Sequence, residues 1–209
     1  MLALEDLLDR LDAARERTLV ALESLPDEAL TQPGVIGRWA IADLLSILTA
    51  WDAEVVTGLM QLTTGKTPER LLAALRNPDI YNAQRYQDAQ GRDLDAIFDD
   101  FQSSRLHLEE WLTGLSDRAL TEPRHYRALG GEPLIRLIAR ATYDHEARYL
   151  PFLTTFAQQW EDTEEETGDE IGELGETIPL GAIDILSLPG ANGDTAELTF
   201  PEDDDDDFE

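Results

Sequence analysis

The 209-residue chain contains no cysteine and a single lysine, Lys66. Without cysteine it cannot form disulfides, thiolate metal sites, iron–sulfur clusters or a cysteine nucleophile. Its 16 basic residues stand against 44 acidic ones, a net charge of −28. Nucleic acid is therefore not expected as a partner, because phosphate binding needs clustered Lys and Arg.

Several sequence signals of location and chemistry are also missing. No uncharged apolar run approaches the roughly 18 residues that a membrane span requires. The N-terminal segment MLALEDLLDR lacks the basic region and cleavage site of a targeting peptide, so we expect a cytoplasmic protein without membrane contact. No Gly-x-Ser-x-Gly or Gly-x-Gly-x-x-Gly motif is present, and we expect no internal repeat.

Apolar residues recur at three- and four-residue steps in four long segments, which predicts four amphipathic helices. These segments are 2–25, 40–63, 93–115 and 134–156, with shorter helices expected at 67–77 and 79–90. Pro151 lies inside the last long segment and should bend it. Because none of these helices can bury its apolar stripe alone, we expect an all-α, up-down four-helix bundle.

The acidic residues are concentrated in the C-terminal part of the chain. Residues 160–209 hold 19 Asp or Glu and no Lys or Arg. We expect the bundle to occupy residues 1–160 and an acidic linker to occupy 161–176, since densely spaced like charges oppose folding. A β-hairpin arm is possible at 177–201, around Pro189–Asp194, followed by a disordered acidic tail at 202–209.

Two stretches carry a resemblance to a known family. Residues 22–54, LESLPDEALTQPGVIGRWAIADLLSILTAWDAE, resemble the DinB/YfiT-like four-helix bundle superfamily. The layout of residues 81–120 and of ATYDHEARYLPFL at 141–153 is similar to the ClbS/DfsB-like branch of that superfamily. The resemblance covers roughly residues 2–157 and rests on Leu- and Trp-based patterns.

The resemblance implies a divalent metal held by three histidines, one on the second long helix and two on the last. These positions fall at Ile47, His145 and Tyr149, so one imidazole of three is present. The carboxylates that could substitute are Asp43, Asp52, Asp144 and Glu146. Asp144 and Glu146 lie about 100° to either side of His145 on a helix and so point away from its face. We expect no metal, no other cofactor and no metal-dependent enzyme.

His145 and Tyr149 remain as a polar pair on the apolar face of the last helix. One interpretation is an interior pair, hydrogen-bonded to each other, to a carbonyl or to buried water. The other is the floor of a ligand pocket, in which His145 exchanges a proton and Tyr149 donates a hydrogen bond. Residues on the short helical link, Asn82, Arg85 and Tyr86, could then form a lid. The candidate pocket comprises Ile47, Trp51, Asn82, Tyr86, His145 and Tyr149, with His145 and Tyr149 as catalytic candidates.

The other two histidines lie outside this site. His107 lies off the apolar stripe of its helix, so a solvated position is expected. His125 lies in the segment EPRHYRALGG beside Arg124 and Arg127, the densest positive patch of the chain. That patch could bind an anion, or it could pair with the acidic surface or tail. Trp39 is expected to belong to the core.

Three functions fit these observations. The first is a bundle that has lost its metal site and binds or sequesters a hydrophobic small molecule, in a protective role. The second is an enzyme using His145, either a thiol-dependent transferase or a ClbS-like hydrolase. The third is an interaction protein whose acidic C-terminal arm docks a basic protein partner. For each, a homodimer is the expected assembly.

Overall fold

Helices form nearly all of the regular structure in residues 2–168, the part of the chain that the computed structural model describes. In chain order the α-helices are α1 Ala3–Leu22, α2 Asp27–Thr31, α3 Ile41–Thr63, α4 Glu69–Arg76, α5 Pro78–Asp88, α6 Leu94–Thr113, α7 Asp117–Thr121, α8 Leu134–Ala141, α9 Tyr143–Glu146 and α10 Leu150–Gly168. A 3₁₀ helix, Arg127–Leu129, lies between α7 and α8. Within residues 2–168 no helix is both long and apolar enough to cross a membrane.

The all-α bundle predicted from the sequence is confirmed. The predicted helices at 2–25, 40–63 and 93–115 correspond to α1, α3 and α6. Asp93 caps α6 as its sequence position suggests, because its Oδ1 accepts the backbone N–H of Asp95 at 3.1 Å. The longest helix, α3, packs mainly against α6, while α1 packs against α9 and α10.

The prediction of one continuous fourth helix over 134–156 is wrong. The chain forms α8, α9 and α10 instead, with breaks at Thr142 and at 147–149. Proline has no N–H, and its ring collides with the carbonyl four residues earlier. Pro151 can therefore occupy the first turn of α10 only if the helix is interrupted near Ala147. The single helical turn of α9 is left between the two breaks.

One further departure concerns the segment expected to be an acidic linker. The last helix, α10, runs to Gly168, so the first residues of the segment assigned to the acidic linker are helical. The expected hairpin at 177–201 and tail at 202–209 lie outside the described residues. The connections 26–37 and 116–133, which have breaker-rich sequences, contain the short helices α2 and α7.

These two short helices reveal an internal repeat, so the expectation of none is wrong. The pattern Leu-x-Asp-x-Ala-Leu-Thr-x-Pro occurs at 25–33 and again at 115–123, offset by 90 positions. In both copies the helix begins at the Asp, ends at the Thr and buries its leucine, Leu30 or Leu120. A long helix followed by a short one thus occurs twice, as α1–α2 and α6–α7, and each pair leads into a further helix, α3 or α8.

A network of four charged side chains lies inside the bundle and joins its helices. The members are Arg15 of α1, Asp52 of α3, Arg105 of α6 and Glu146 of α9, with exposed fractions of 7, 1, 3 and 2%. Arg105 binds both acids, through Nε to Asp52 Oδ2 at 3.0 Å and through Nη2 to Glu146 Oε2 at 2.9 Å. Arg15 Nη2 donates to Asp52 Oδ2 at 2.9 Å. We call these residues the buried quartet.

The two arginines of the buried quartet are used reciprocally. Arg15 donates to the carbonyl of Phe101, and Arg105 donates to the carbonyl of Leu11 at 2.8 Å. Each arginine thus binds the carbonyl four residues before the other, and the two arginines are offset by the same 90 positions as the repeat. The guanidinium of Arg15 also lies 3.4 Å from the centroid of the Phe101 ring. The buried quartet therefore follows the internal symmetry of the fold.

The buried quartet lies where two apolar clusters of the core meet. On α1 it separates Leu11 of one cluster from Leu22 of the other, and on α6 it separates Leu108 from Phe101. Burial lowers the pKa of Arg15, helped by the charge of Arg105. Burial also opposes the charge of Arg105, but Asp52 and Glu146 outweigh it and raise that pKa. The two positive and two negative charges balance inside the core.

Replacing Arg105 with methionine should therefore destabilise the bundle strongly. The variant R105M leaves Asp52 and Glu146 buried with only one arginine, and a broken buried pair costs about 3–5 kcal/mol. Urea unfolding measures this loss. The matched control is R10M. It removes an exposed arginine of α1 that pairs with Asp6 of the same helix, and it should change the free energy of unfolding little. Equal stability of R105M and the wild type would contradict this account.

Candidate functional site

A chain of hydrogen bonds connects three elements at the predicted site. The buried indole of Trp51, on α3, donates from Nε1 to Oδ1 of Asn82, on α5, at 2.8 Å. The amide nitrogen of Asn82 donates to the hydroxyl of Tyr149 at 3.1 Å. Tyr149 lies in the turn between α9 and α10. Asn82 is 2% exposed. Its side-chain amide links the turn at 147–149 to α3, because its oxygen bonds Trp51 and its nitrogen bonds Tyr149.

Aromatic rings surround this chain of hydrogen bonds. The ring of His145 lies with its centroid 4.9 Å from that of Trp51 and meets Tyr149 edge-on at 5.3 Å. Trp39, just before α3, contacts Tyr149 at 6.5 Å and stacks on Tyr86 of α5 at 6.3 Å. Trp39 and Tyr86 are half-buried, so they form the outer side of the site.

Two nitrogen atoms of this aromatic group are buried without a hydrogen-bond partner among the described residues. They are Nε2 of His145 and Nε1 of Trp39. The rings of both residues pack against the ring of Tyr149, with centroid distances of 6.5 Å for Trp39 and 5.3 Å for His145. About 90% or more of the buried polar atoms in native proteins have a hydrogen-bond partner, either another protein group or an ordered water. The site therefore has unused hydrogen-bonding capacity in an otherwise apolar setting.

The ionisation states of the site follow from burial. Burial, together with the positive charge of Arg148, lowers the pKa of His145 to about 4. The imidazole is therefore neutral at pH 7, with one nitrogen able to donate and the other able to accept. Burial is also the main cause of the raised pKa of Tyr149, which remains a neutral phenol.

The structure brings most of the predicted pocket residues together. Trp51, Asn82, Tyr149 and His145 form a closed ring in which each residue contacts the next, and Tyr86 joins them through Trp39. Ile47 is fully buried in the apolar cluster. Arg85 does not join the site, since it pairs with Asp88 at 2.9 Å and lies over the ring of Tyr81. The interpretation of His145 and Tyr149 as an interior pair needs one change. The two rings meet edge-on, and the hydroxyl of Tyr149 accepts a hydrogen bond from Asn82.

The sequence patterns do not predict the ring contacts of Trp39 or the ion pairs of the buried quartet. Trp39, which is expected in the core, is half-buried and stacks on Tyr86. Glu146 does point away from the face of His145, but it is buried and binds Arg105. The available signal was positional: Arg15 and Arg105 both fall on the apolar stripes of their helices, where a charge needs a buried partner.

The residues at the three implied ligand positions do not fit a divalent metal centre. Ile47 has no donor atom, and the oxygen of Tyr149 already accepts the amide of Asn82. The nearest buried carboxylates, Asp52 and Glu146, are bound by arginines. Within the described part of the chain there is no group of three or more His, Asp or Glu side chains placed to hold a metal ion. No step of a mechanism is therefore assigned to a metal here.

The low pKa of His145 predicts a specific pH dependence of stability. The unfolded imidazole has a pKa of 6.5 and the folded one a pKa of about 4, so the unfolded chain binds more protons between these values. Stability contributed by this residue is complete above pH 6.5 and falls as the pH drops towards 4, by up to about 3 kcal/mol. Urea unfolding from pH 4 to 7.5 should show a smaller acid loss for H145F than for the wild type. The exposed-site control H107Q should retain the wild-type profile, whereas an unchanged profile in H145F would refute the prediction.

Comparisons with known proteins agree with this fold. The chain matches a crystal structure of an uncharacterised protein from Escherichia coli UTI89 with a TM-score of 0.59 and 16% sequence identity, over 77% of this chain and 96% of the other. At that identity the likeness concerns the fold alone. None of the curated proteins matches the chain. Residues 10–149, which include the buried quartet and the site, match the DinB superfamily. The chain belongs to the DinB superfamily.

Proposed function

We propose that this protein binds a small, neutral, largely aromatic or aliphatic molecule at the site formed by Trp51, Asn82, His145 and Tyr149, without a metal. The observation that carries the proposal is the pair of buried, unpartnered nitrogens, His145 Nε2 and Trp39 Nε1, among aromatic rings. Binding would serve to sequester the molecule, in the protective role that the ClbS/DfsB-like resemblance implies. In this proposal the bundle has lost the metal site of its relatives.

The chemistry of the site supports a neutral ligand with one polar group. The rings of Trp39, Trp51 and Tyr149 offer apolar faces, on which a flat molecule packs. His145 and Trp39 offer a hydrogen bond each, so a ligand hydroxyl or carbonyl gains a partner that a hydrocarbon does not. A charged ligand would lose its hydration in the same setting without an opposite charge to compensate, because His145 is neutral at pH 7.

The half-buried aromatic residues provide the route of entry. Trp39 precedes α3 in a turn that has only an isolated bridge between Ile36 and Trp39. Tyr86 stacks on Trp39, and the guanidinium of Arg38 lies 5.1 Å from the centroid of the Tyr86 ring. His145 and Trp51, by contrast, are held by the packed core. A ligand therefore reaches His145 by displacing the stacked pair of Trp39 and Tyr86.

Binding is favoured over catalysis by the state of His145. A general base works best when its pKa lies near the operating pH. With a pKa of about 4, the imidazole is a weak base at pH 7. The thiol transfers of the superfamily use a metal, and the residues at the three implied positions do not fit one. The hydrolase and transferase alternatives thus have less support than binding. The homodimer and a basic partner for the acidic arm remain predictions.

The proposal is tested with two probes that differ in one hydroxyl group, 1-naphthol and naphthalene. Both should shift the indole N–H signals of Trp39 and Trp51 in ¹H–¹⁵N NMR spectra, while those of Trp111 and Trp160 serve as internal references. We expect 1-naphthol to bind about five-fold more tightly, the worth of one buried hydrogen bond. H145F should remove this preference but retain naphthalene binding, and H107Q should change neither.

Two results would contradict the proposal. Equal affinity of the wild type for both probes would show that the free nitrogens do not recognise a polar group. A rise in Tm on adding Zn²⁺ or Ni²⁺ that H145F abolishes would show that the site holds a metal after all. Thermal melting of H145F without a probe establishes that the variant is folded. The variant W39F, altered at the half-buried outer residue, provides an independent second test of the preference for 1-naphthol over naphthalene.

A further inference from the structure

A cleft of about 390 Å³ separates the end of α3 from the loop between α7 and α8. Its lining includes three side chains that carry or can gain a positive charge, Lys66, His125 and Arg127, and no carboxylate. Leu62, Tyr126 and Ala128 supply an apolar wall. The cleft shares no lining residue with the site around His145.

Two positive charges of this cleft, Lys66 and Arg127, form no ion pair with the described side chains, which distinguishes it from two other clefts of the described structure. The third basic side chain, His125, interacts with the charge of Glu122. A cleft between α4 and α5 is also lined by two arginines, but Arg70 pairs with Glu54 and Arg85 pairs with Asp88. A cleft between α1 and α10 has glutamates in its lining. Among the side chains that the structure describes, which are those of residues 2–163, no carboxylate lies within 4 Å of Lys66 or Arg127. In a chain of net charge −28, two unpaired cations facing one cleft need an explanation.

The backbone holds both walls of the cleft in place. Gly65 has a φ of 76° and ends α3, its N–H donating to the carbonyl of Leu62 at 3.0 Å. The next N–H, of Lys66, donates to the carbonyl of Gln61 at 2.8 Å. On the opposite wall, the 3₁₀ helix is anchored by the buried Leu129, whose N–H donates to the carbonyl of Tyr126 at 3.1 Å. These backbone hydrogen bonds hold the main-chain positions from which the exposed side chains of Lys66 and Arg127 extend.

We propose that this cleft binds the oxyanion group, a phosphate monoester or a carboxylate, of a small molecule with a short apolar body. Lys66 and Arg127 approach the oxyanion from opposite walls, and the Arg127 guanidinium can bind two of its oxygens. The apolar body packs on Leu62, Ala128 and the ring of Tyr126. A nucleic acid strand is not the ligand, since two cations and one histidine cannot offset repulsion from so acidic a chain.

Phenyl phosphate, benzoate and inorganic phosphate test this site on the full-length protein. Phenyl phosphate and benzoate both carry a phenyl ring. The one with the lower Kd therefore shows whether the cleft prefers a phosphate monoester or a carboxylate. Saturable ¹H–¹⁵N shifts are expected at Lys66, His125 and Arg127, with phenyl phosphate binding more tightly than inorganic phosphate. K66Q and R127Q should each weaken binding about five-fold, because each removes one charged contact. The control R136Q removes an exposed arginine of α8 that has no ion-pair partner among the described side chains, and it should leave affinity unchanged.

Lys66 also permits a chemical readout, since it is the only lysine of the chain. Phenyl phosphate should slow its modification by an amine-reactive reagent, as measured by peptide mass. The proposal is overturned if no probe gives saturable shifts up to about 10 mM, a range that covers even weak binding. It is equally overturned if R136Q weakens binding as much as K66Q and R127Q, because the attraction would then depend on overall charge.

Discussion

The buried quartet is the constraint on which the rest of the bundle depends. Each long helical segment contributes one charge, so the four charges are satisfied only when all four segments hold one relative position. Apolar stripes alone tolerate sliding, because one leucine can replace another against a neighbouring helix. A buried charge without its partner costs several kcal/mol, so sliding is strongly opposed. The buried quartet thus fixes the register of helices whose stability comes from the apolar clusters on either side of it.

The same register builds the candidate site. Asp52 and Glu146, the two acids of the buried quartet, follow directly after Trp51 and His145 in the sequence. Neighbouring residues on a helix point about 100° apart, so one binds the arginines while the other faces the site. Because both acids are anchored, the rings of Trp51 and His145 meet at 4.9 Å. Glu146 is especially important here, since α9 is a single turn with a break on either side.

The sequence allowed the helices and much of the site to be predicted, because both depend on periodicity. Trp51, His145 and Tyr149 fall on predicted apolar faces, and Asn82 lies on the short link beside them. The buried quartet depends on partners up to 94 positions apart, as with Arg105 and Leu11, and helical periodicity carries no such information. The apolar stripe also continued across Thr142 and 147–149, so it concealed the breaks. Only Pro151 signalled them, and the interruption it requires falls before the proline itself.

The charge balance of the buried quartet explains why a histidine beside two buried acids stays neutral. A free carboxylate close to an imidazole would favour the protonated form and raise its pKa. Asp52 and Glu146 are instead neutralised by Arg15 and Arg105, so His145 experiences chiefly its own burial and the charge of Arg148. The arginines therefore do more than join helices. Because they pair with Asp52 and Glu146, no free carboxylate favours the protonated form of His145. The imidazole therefore stays neutral in an apolar interior, and a neutral ligand can bond its unpartnered nitrogen.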